Sequence, residues 1–88
     1  MKTTTKPQAA ARVDDDAEQA AARTDISPVV RRVVAQADRA AGRDLAWARA
    51  DSDTLVRWEA ALADRKAGRD MSWARADADA DVRLAAAQ

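Results

Sequence analysis

The sequence predicts an all-α domain, and three observations lead to this prediction. A stretch of the chain occurs twice: residues 37–61 read ADRAAGRDLAWARADSDTLVRWEAA, and residues 63–87 read ADRKAGRDMSWARADADADVRLAAA. Alanine, the strongest helix former, is the commonest residue. The only two glycines, Gly42 and Gly68, occupy the same position in both copies, where a helix would end. We therefore expect tandem 26-residue units built from helices.

Each predicted unit consists of a short helix, a tight corner, a longer helix and a Gly-Arg-Asp turn. These turns fall at residues 42–44 and 68–70. The register also extends backwards, because Arg23, Asp25 and Ser27 align with Arg49, Asp51 and Asp53. The chain is thus interpreted as about two and a half helix-corner-helix units. The alternative is that the corners only kink the helices, which would give an antiparallel three-helix bundle.

The N-terminal part is predicted to differ from the rest. Residues 1–13 contain threonines and a proline without hydrophobic periodicity, so we expect a disordered tail. Residues 14–88 form a single predicted helical domain. The acidic run at residues 14–16 precedes an alanine-rich segment that ends at Arg23, which is the charge order that the helix dipole favours. A short helix is predicted there.

Ser27 and Pro28 give a strong helix-start signal, with serine as the N-cap and proline at the first helical position. Gly42 ends this helix as a residue that accepts positive φ. Helical spacing predicts that one broad face is buried. Its residues are Val29, Val30, Val33, Val34, Ala37, Ala40 and Ala41.

In the next unit, Asp44 is the predicted N-cap of a short helix over residues 45–50, and Asp53 is the N-cap of a longer helix over residues 54–67. Corresponding helices follow at residues 71–76 and after Asp79. Two i,i+4 ion pairs, Asp53–Arg57 and Asp79–Arg83, are expected on these helices. The predicted buried side of the longer helix carries Leu55, Val56, Trp58, Leu62 and Ala63.

Composition excludes several classes of function. The chain has no His, Cys or Tyr, and its carboxylates are spread over repeated positions, so we expect no enzyme, no cofactor and no small-molecule substrate. The run Asp77-x-Asp79-x-Asp81 resembles the start of a calcium loop, but Val82 and Gln88 stand where such a loop needs glycine and glutamate. No metal site is therefore expected.

The expected cellular location and genomic origin of the protein follow from the same composition. No apolar run is long enough to span a membrane, and the N-terminus is unlike a signal peptide, so a cytoplasmic protein is expected. Heavy use of Ala, Arg and Asp is typical of a GC-rich bacterial or phage genome. The partner, the biological process and the oligomeric state do not follow from the sequence.

The function expected from the sequence is binding of a protein partner or self-association. An alanine-rich core buries little area, so an 88-residue domain of this kind gains stability from association. Tryptophans either anchor the joints between units or act as interface hot spots. Trp58 is the preferred hot spot, because Leu84 and Arg32 replace it in the neighbouring units. The predicted interface comprises Trp58, Trp47, Trp73, Leu55 and Leu62.

The alternative function is nucleic-acid binding by an accessory or regulatory protein. Residues 27–50 carry a local excess of arginine, and a helix–turn–helix outline could present it to phosphates. The residues assigned to this alternative are Arg31, Arg32, Arg39 and Arg43. A structural role in a larger assembly is compatible with the first hypothesis, binding of a protein partner or self-association.

Overall fold

The computed structural model describes residues 17–87, and every regular element in that range is helical. This confirms the all-α fold class. The elements are α1 (residues 17–22), α2 (Pro28–Ala40), a 3₁₀ helix (Ala46–Ala48), α3 (Thr54–Ala67), α4 (Ser72–Arg75) and α5 (Ala80–Ala87). The predicted tail, the acidic run at residues 14–16 and Gln88 lie outside the described residues.

The corners before α3 and α5 break the helices. At the first corner, the Asp51 carboxylate accepts the Asp53 N–H at 2.8 Å, and Asp53 in turn accepts the Val56 N–H as the N-cap of α3. At the second corner, Asp77 accepts the Asp79 N–H at 2.8 Å. These carboxylates accept hydrogen bonds from backbone N–H groups that, in a continuous helix, would donate to carbonyl oxygens four residues earlier. The alternative with three uninterrupted helices is therefore not formed.

Two predicted boundaries are borne out and two differ. Helix α2 begins at Pro28 after Ser27, and α3 spans the predicted residues 54–67. The short helices are shorter than expected, one being a single 3₁₀ turn and the other four residues. Leu45, and not Asp44, is the N-cap of the 3₁₀ helix, while Asp44 accepts a hydrogen bond from the Arg49 side chain.

Both long helices end in a left-handed glycine, with φ of 75° at Gly42 and 74° at Gly68. The next residue then donates its N–H to a carbonyl five residues earlier: Arg43 to Asp38 at 2.9 Å, and Arg69 to Asp64 at 2.9 Å. With the glycine N–H bonded three residues back, this is a Schellman ending. It fixes the path of the chain as it turns into the short helix.

Helices α2 and α3 point in the same direction. Arg32, near the start of α2, pairs with Asp53 at the start of α3, whereas Arg39, near the end of α2, pairs with Glu59 further along α3. The separations are 21 and 20 residues, so the contacts run in the same order along both helices. Arg57 of α3 pairs with Asp77 before α5 at the same separation of 20.

The core consists of two clusters of small apolar side chains. One joins α2, the 3₁₀ helix and α3, and the other joins α3, α4 and α5. Each cluster holds one fully buried valine, Val56 in the first and Val82 in the second, which are 26 residues apart. The first contains Ala35, Leu45, Ala48, Val56, Ala60 and Ala63, and the second Ala61, Met71, Ala74, Val82, Ala85 and Ala86.

The predicted buried face of α2 is mostly wrong. Val34 is buried as expected, but Val29 and Val33 are 59% and 61% exposed. The side that packs against α3 carries Ala35 and the fully buried Asp38 instead. Periodicity selects the side richest in branched apolar residues, whereas close helix packing here selects the side with alanine.

The predicted face of α3 is correct in part. Val56 and Ala63 are buried, but Leu55 is 46% exposed, and Trp58 and Leu62 are half-buried. The two polar residues Glu59 and Asp64 are buried on this helix. The expected i,i+4 ion pairs are absent from the described residues, since Asp53 pairs with Arg32 of α2. At Asp53 a cross-helix arginine has displaced the local partner, whereas Arg83 donates to the backbone oxygens of Asp77 and Ala78 in place of Asp79.

Replacement of Gly68 by alanine is predicted to lower the free energy of unfolding by about 1 kcal/mol. An added Cβ would meet nothing within 4 Å, so the cost arises from the positive φ alone. Gly68→Asn is the matched control, because asparagine tolerates this conformation better and should lose less stability. Urea unfolding of the three proteins measures the difference, and equal stability of Gly68→Ala and wild type would contradict the prediction.

Candidate protein interface

An open apolar groove lies between α3 and α5. Leu55, Trp58 and Leu62 of α3 form one wall, and Leu84 and Ala85 of α5 belong to the other, with Asp81 beside them. The groove has a volume of about 350 Å³. This is within the size range of sites that accept a small ligand or a few side chains of a partner.

The groove follows from the spacing of residues on both helices. Leu55, Trp58 and Leu62 are three and four residues apart, so they lie along one stripe of α3. Trp58 and Leu62 pack at their inner edges against the second core cluster. Leu55 and Leu84 are 46% and 59% exposed, which leaves apolar area uncovered above that cluster. Clustered apolar exposure of this kind marks interaction surfaces.

The junction between α2 and α3 is built differently at the equivalent position. Arg32 occupies the place of Trp58 there, and its guanidinium donates two hydrogen bonds to Asp53 at 2.8 and 2.7 Å. The equivalent of Asp53 at the second junction is Asp79, which has no ion pair among residues 17–87. The second junction therefore has an apolar groove where the first junction has an ion pair.

The groove carries an acidic residue. The Asp81 backbone N–H donates to Asp79 at 2.8 Å, and the Asp81 carboxylate forms no ion pair within the described residues. Asp81 takes the repeat position of Leu55, so the α5 wall is more polar than the α3 wall. A partner with an apolar face and a neighbouring cation would match this arrangement.

Trp47 and Trp73, also predicted as interface residues, lie elsewhere. Each indole N–H donates to a fully buried carboxylate, from Trp47 to Asp38 at 3.1 Å and from Trp73 to Asp64 at 2.9 Å. Both rings are half-buried and pack against the core. Three of the five predicted residues thus meet in the groove, and these two hold the joints between helices.

The sequence-based prediction omitted the α5 residues of the groove, Asp81, Leu84 and Ala85. The internal repeat does contain the signal for them. They align with Leu55, Trp58 and Glu59 of the preceding unit, so they occupy the corresponding face of the next helix. Parallel neighbours with the same register bring such faces together.

Asp38 and Asp64 are fully buried charged residues in the interior of the described domain. Asp38 accepts hydrogen bonds from Arg23, Arg43 and Trp47, and also from Gln19. Burial by itself raises the pKa of Asp38, but the arginine and tryptophan donors outweigh it and hold the pKa below its usual value.

The arginine and tryptophan donors to Asp64 are those of Asp38 displaced by 26 residues, whereas Leu45 stands at the position that corresponds to Gln19. Asp64 receives two hydrogen bonds from Arg49, at 2.7 and 2.9 Å, and one each from Arg69 and Trp73. Burial again raises the pKa of this carboxyl, and its donors again outweigh burial, so the pKa of Asp64 lies below its usual value. No buried side-chain nitrogen or oxygen in the described residues lacks a partner.

The arginines of the nucleic-acid alternative are all engaged with carboxylates. Arg31 forms a two-pronged pair with Asp51 at 2.9 and 3.0 Å, and only 12% of its side chain is exposed. The other pairs are Arg32–Asp53, Arg39–Glu59 and Arg43–Asp38. The Arg32 guanidinium and the Val56 N–H lower the pKa of Asp53 to about 2. Each of these four arginines therefore has a carboxylate partner.

Residues 17–87 contain no group of three or more His, Cys, Asp or Glu side chains arranged to hold a metal ion. Within the same range, none of the helices combines the length and hydropathy needed to span a membrane. Comparison with protein-family models, curated proteins and solved structures finds no match to this chain.

Replacement of Asp64 by alanine is predicted to cost about 3–5 kcal/mol of unfolding free energy, because Arg49, Arg69 and Trp73 would lose a shared acceptor inside the protein. Asp44→Ala is the matched control, since Asp44 pairs with the same Arg49 but is 54% exposed at its side chain. That change should cost less than about 1 kcal/mol. Thermal and urea unfolding distinguish the two, and similar losses would show that burial does not decide the effect.

The free energy of unfolding should be nearly constant from neutral pH down to about 5 and should fall as the pH drops below about 4. The pKa of Asp53 in the folded protein is about 2, below its usual value of 3.8, because the Arg32 guanidinium stabilises the carboxylate. The ionised Asp53 carboxylate therefore stabilises the folded protein fully when the pH is above its pKa in the unfolded chain. This contribution is lost as the pH falls through its pKa in the folded protein. Asp53→Asn and Arg32→Gln should both reduce this drop. Urea unfolding as a function of pH tests this, and an unchanged profile in Asp53→Asn would contradict it.

Proposed function

We propose that this protein is a non-enzymatic helical module that binds another protein, or a second copy of itself, through the groove between α3 and α5. The observation that carries the proposal is the meeting of Leu55, Trp58, Leu62 and Leu84 around one open volume of about 350 Å³. Tryptophan in a well-packed pocket is the residue that most often dominates binding energy.

The chemistry of the groove suits an apolar segment of a partner. Its long apolar side chains can receive one or two aliphatic or aromatic residues, and Asp81 can pair with a lysine or arginine beside them. A stable interface buries about 800 Å² on each partner, so the groove would form the centre and the surrounding helix surfaces the rim. Half-buried Trp58 already packs against the core, which lowers the entropy lost on binding.

A second copy is the partner to examine first. The chain has a thin core of small residues and also exposes Ile26, Val29 and Val33 at the other end of the described domain. An additional apolar surface favours association over a monomer in water. Oligomer formation by the purified protein would account for both surfaces without a second protein.

Nucleic-acid binding stays a second prediction. The two-pronged pairs of Arg31 with Asp51 and of Arg32 with Asp53 argue against a phosphate-binding face that includes these two arginines, because a phosphate would have to compete with both hydrogen bonds. Light scattering with short duplex DNA at low and high salt separates the two functions. Binding to DNA that falls steeply with salt would favour the alternative.

Leu84→Ser is predicted to weaken association at least about ten-fold while leaving the helical content unchanged, since the side chain is exposed and lines the groove. Ala87→Ser is the matched control, because Ala87 is also an exposed residue of α5 but does not line the groove. Light scattering and sedimentation give the oligomeric state. If the wild-type protein is a monomer, the two variants are compared in a pull-down of a partner that the wild-type protein captures. Equal effects of the two variants would locate the interface elsewhere.

Trp58→Ala should reduce association more strongly than it reduces folding. Only the inner part of Trp58 packs against the core, whereas its remaining surface faces the groove. Circular dichroism of the variant, recorded beside its solution mass, measures both effects. Parallel loss of helix and assembly would assign Trp58 to the core.

A further inference from the structure

A second cavity, separate from the groove, lies between the C-terminal ends of α2 and α3. Its volume is about 280 Å³, and it shares no lining residue with the groove. Four of its lining side chains are cations: Arg39, Arg43, Lys66 and Arg69. This concentration of positive charge in one cavity points to an anionic ligand.

Each of the three arginines is anchored by a carboxylate but retains unused donors. Arg39 donates through Nε to Glu59, Arg43 through Nη1 to Asp38, and Arg69 through Nη1 to Asp64. The remaining guanidinium nitrogens of these residues make no hydrogen bond to any residue between 17 and 87. The carboxylates therefore hold the guanidinium groups in place and leave N–H groups for an external acceptor.

The charge around the cavity is not balanced by these carboxylates. Asp38 and Asp64 are each shared with a second arginine, Arg23 or Arg49, and Lys66 has no ion pair in the described residues. Six cations thus stand against four carboxylates, an excess of two positive charges. The cations are Arg23, Arg39, Arg43, Arg49, Lys66 and Arg69, and the carboxylates are Asp38, Asp44, Glu59 and Asp64.

The helix ends reduce this excess but do not remove it. The C-termini of α2 and α3 each contribute about half a negative charge, and the Schellman bonds already satisfy their last carbonyl groups. About one positive charge therefore remains. A phosphate group can balance this charge, and its several oxygens can accept from the forked arginine donors. Carboxylate ligands have only two oxygens, so a phosphate group uses more of the available donors.

We propose that the cavity lined by Arg39, Arg43, Lys66 and Arg69 is a binding site for a phosphate group. The ligand is a phosphorylated small molecule or a nucleic-acid phosphate, which share this chemistry. The site is independent of the proposed interface, since the two cavities have no residue in common.

The test is an NMR titration of the full-length protein with inorganic phosphate, in which sodium chloride keeps the ionic strength constant. We expect saturable shifts of the amide signals of residues 39–43 and 66–69. Lys66→Gln should weaken binding about five-fold, because it removes one charge without disturbing an ion pair within the described residues. Absence of saturable shifts in the wild-type protein overturns the proposal.

Arg65→Gln is the matched control. Arg65 is the neighbouring exposed cation on α3, but it does not line the cavity, so its replacement should leave phosphate affinity within about two-fold. Equal weakening by both variants would mean unspecific attraction and would also overturn the site. A parallel titration with short duplex DNA identifies the source of the phosphate. DNA binding that depends on Lys66 assigns it to nucleic acid, and phosphate binding without DNA binding assigns it to a small molecule.

Discussion

The described structure depends on buried carboxylates that each collect several donors. Asp64 sits near the end of α3 and accepts hydrogen bonds from Arg49 before that helix, from Arg69 after it, and from Trp73 in α4. One side chain thus fixes the segment that enters the helix, the turn that leaves it and the element that follows. A charge with no exposure to solvent is stable only with such a complete set of partners. Asp38 does the same 26 residues earlier.

This arrangement explains how a domain with so small a core can hold its helices in register. Alanine lets α2, α3 and α5 approach closely but contributes little burial, so directional contacts determine which residues face each other. A second set of ion pairs, Arg31–Asp51 and Arg57–Asp77, fixes the corners before α3 and α5. Not every large apolar side chain has to be buried for the helices to pack, and Leu55, Trp58 and Leu84 line a groove at the surface.

The two cavities differ because a few positions change between otherwise matching segments. Where α2 meets α3, Arg32 forms an ion pair with Asp53 near the start of α3. The cavity at this junction is basic and lies at the C-terminal ends of the two helices. Where α3 meets α5, Trp58 takes the arginine position and the accessible cavity is apolar. The two segments share the interior donors around Asp38 and Asp64 but differ at surface positions. One scaffold therefore carries two chemically distinct surfaces. The proposed protein and phosphate sites both follow from this separation.

The sequence by itself determined the helical class, the start of α2 at Ser27-Pro28, the bounds of α3 and the left-handed glycines, because capping residues and glycine act through local backbone geometry. It also singled out Leu55, Trp58 and Leu62, which the structure brings together in one groove. Only the tertiary structure decided that Asp38 and Asp64 are interior, that Val29 and Val33 are exposed, and that Asp53 pairs with Arg32 and not Arg57. Periodicity treats every aspartate as solvated, whereas an aspartate becomes a core residue once arginines 15 residues before it and five residues after it fold back onto it. Partners at such distances are chosen by packing and not by local spacing.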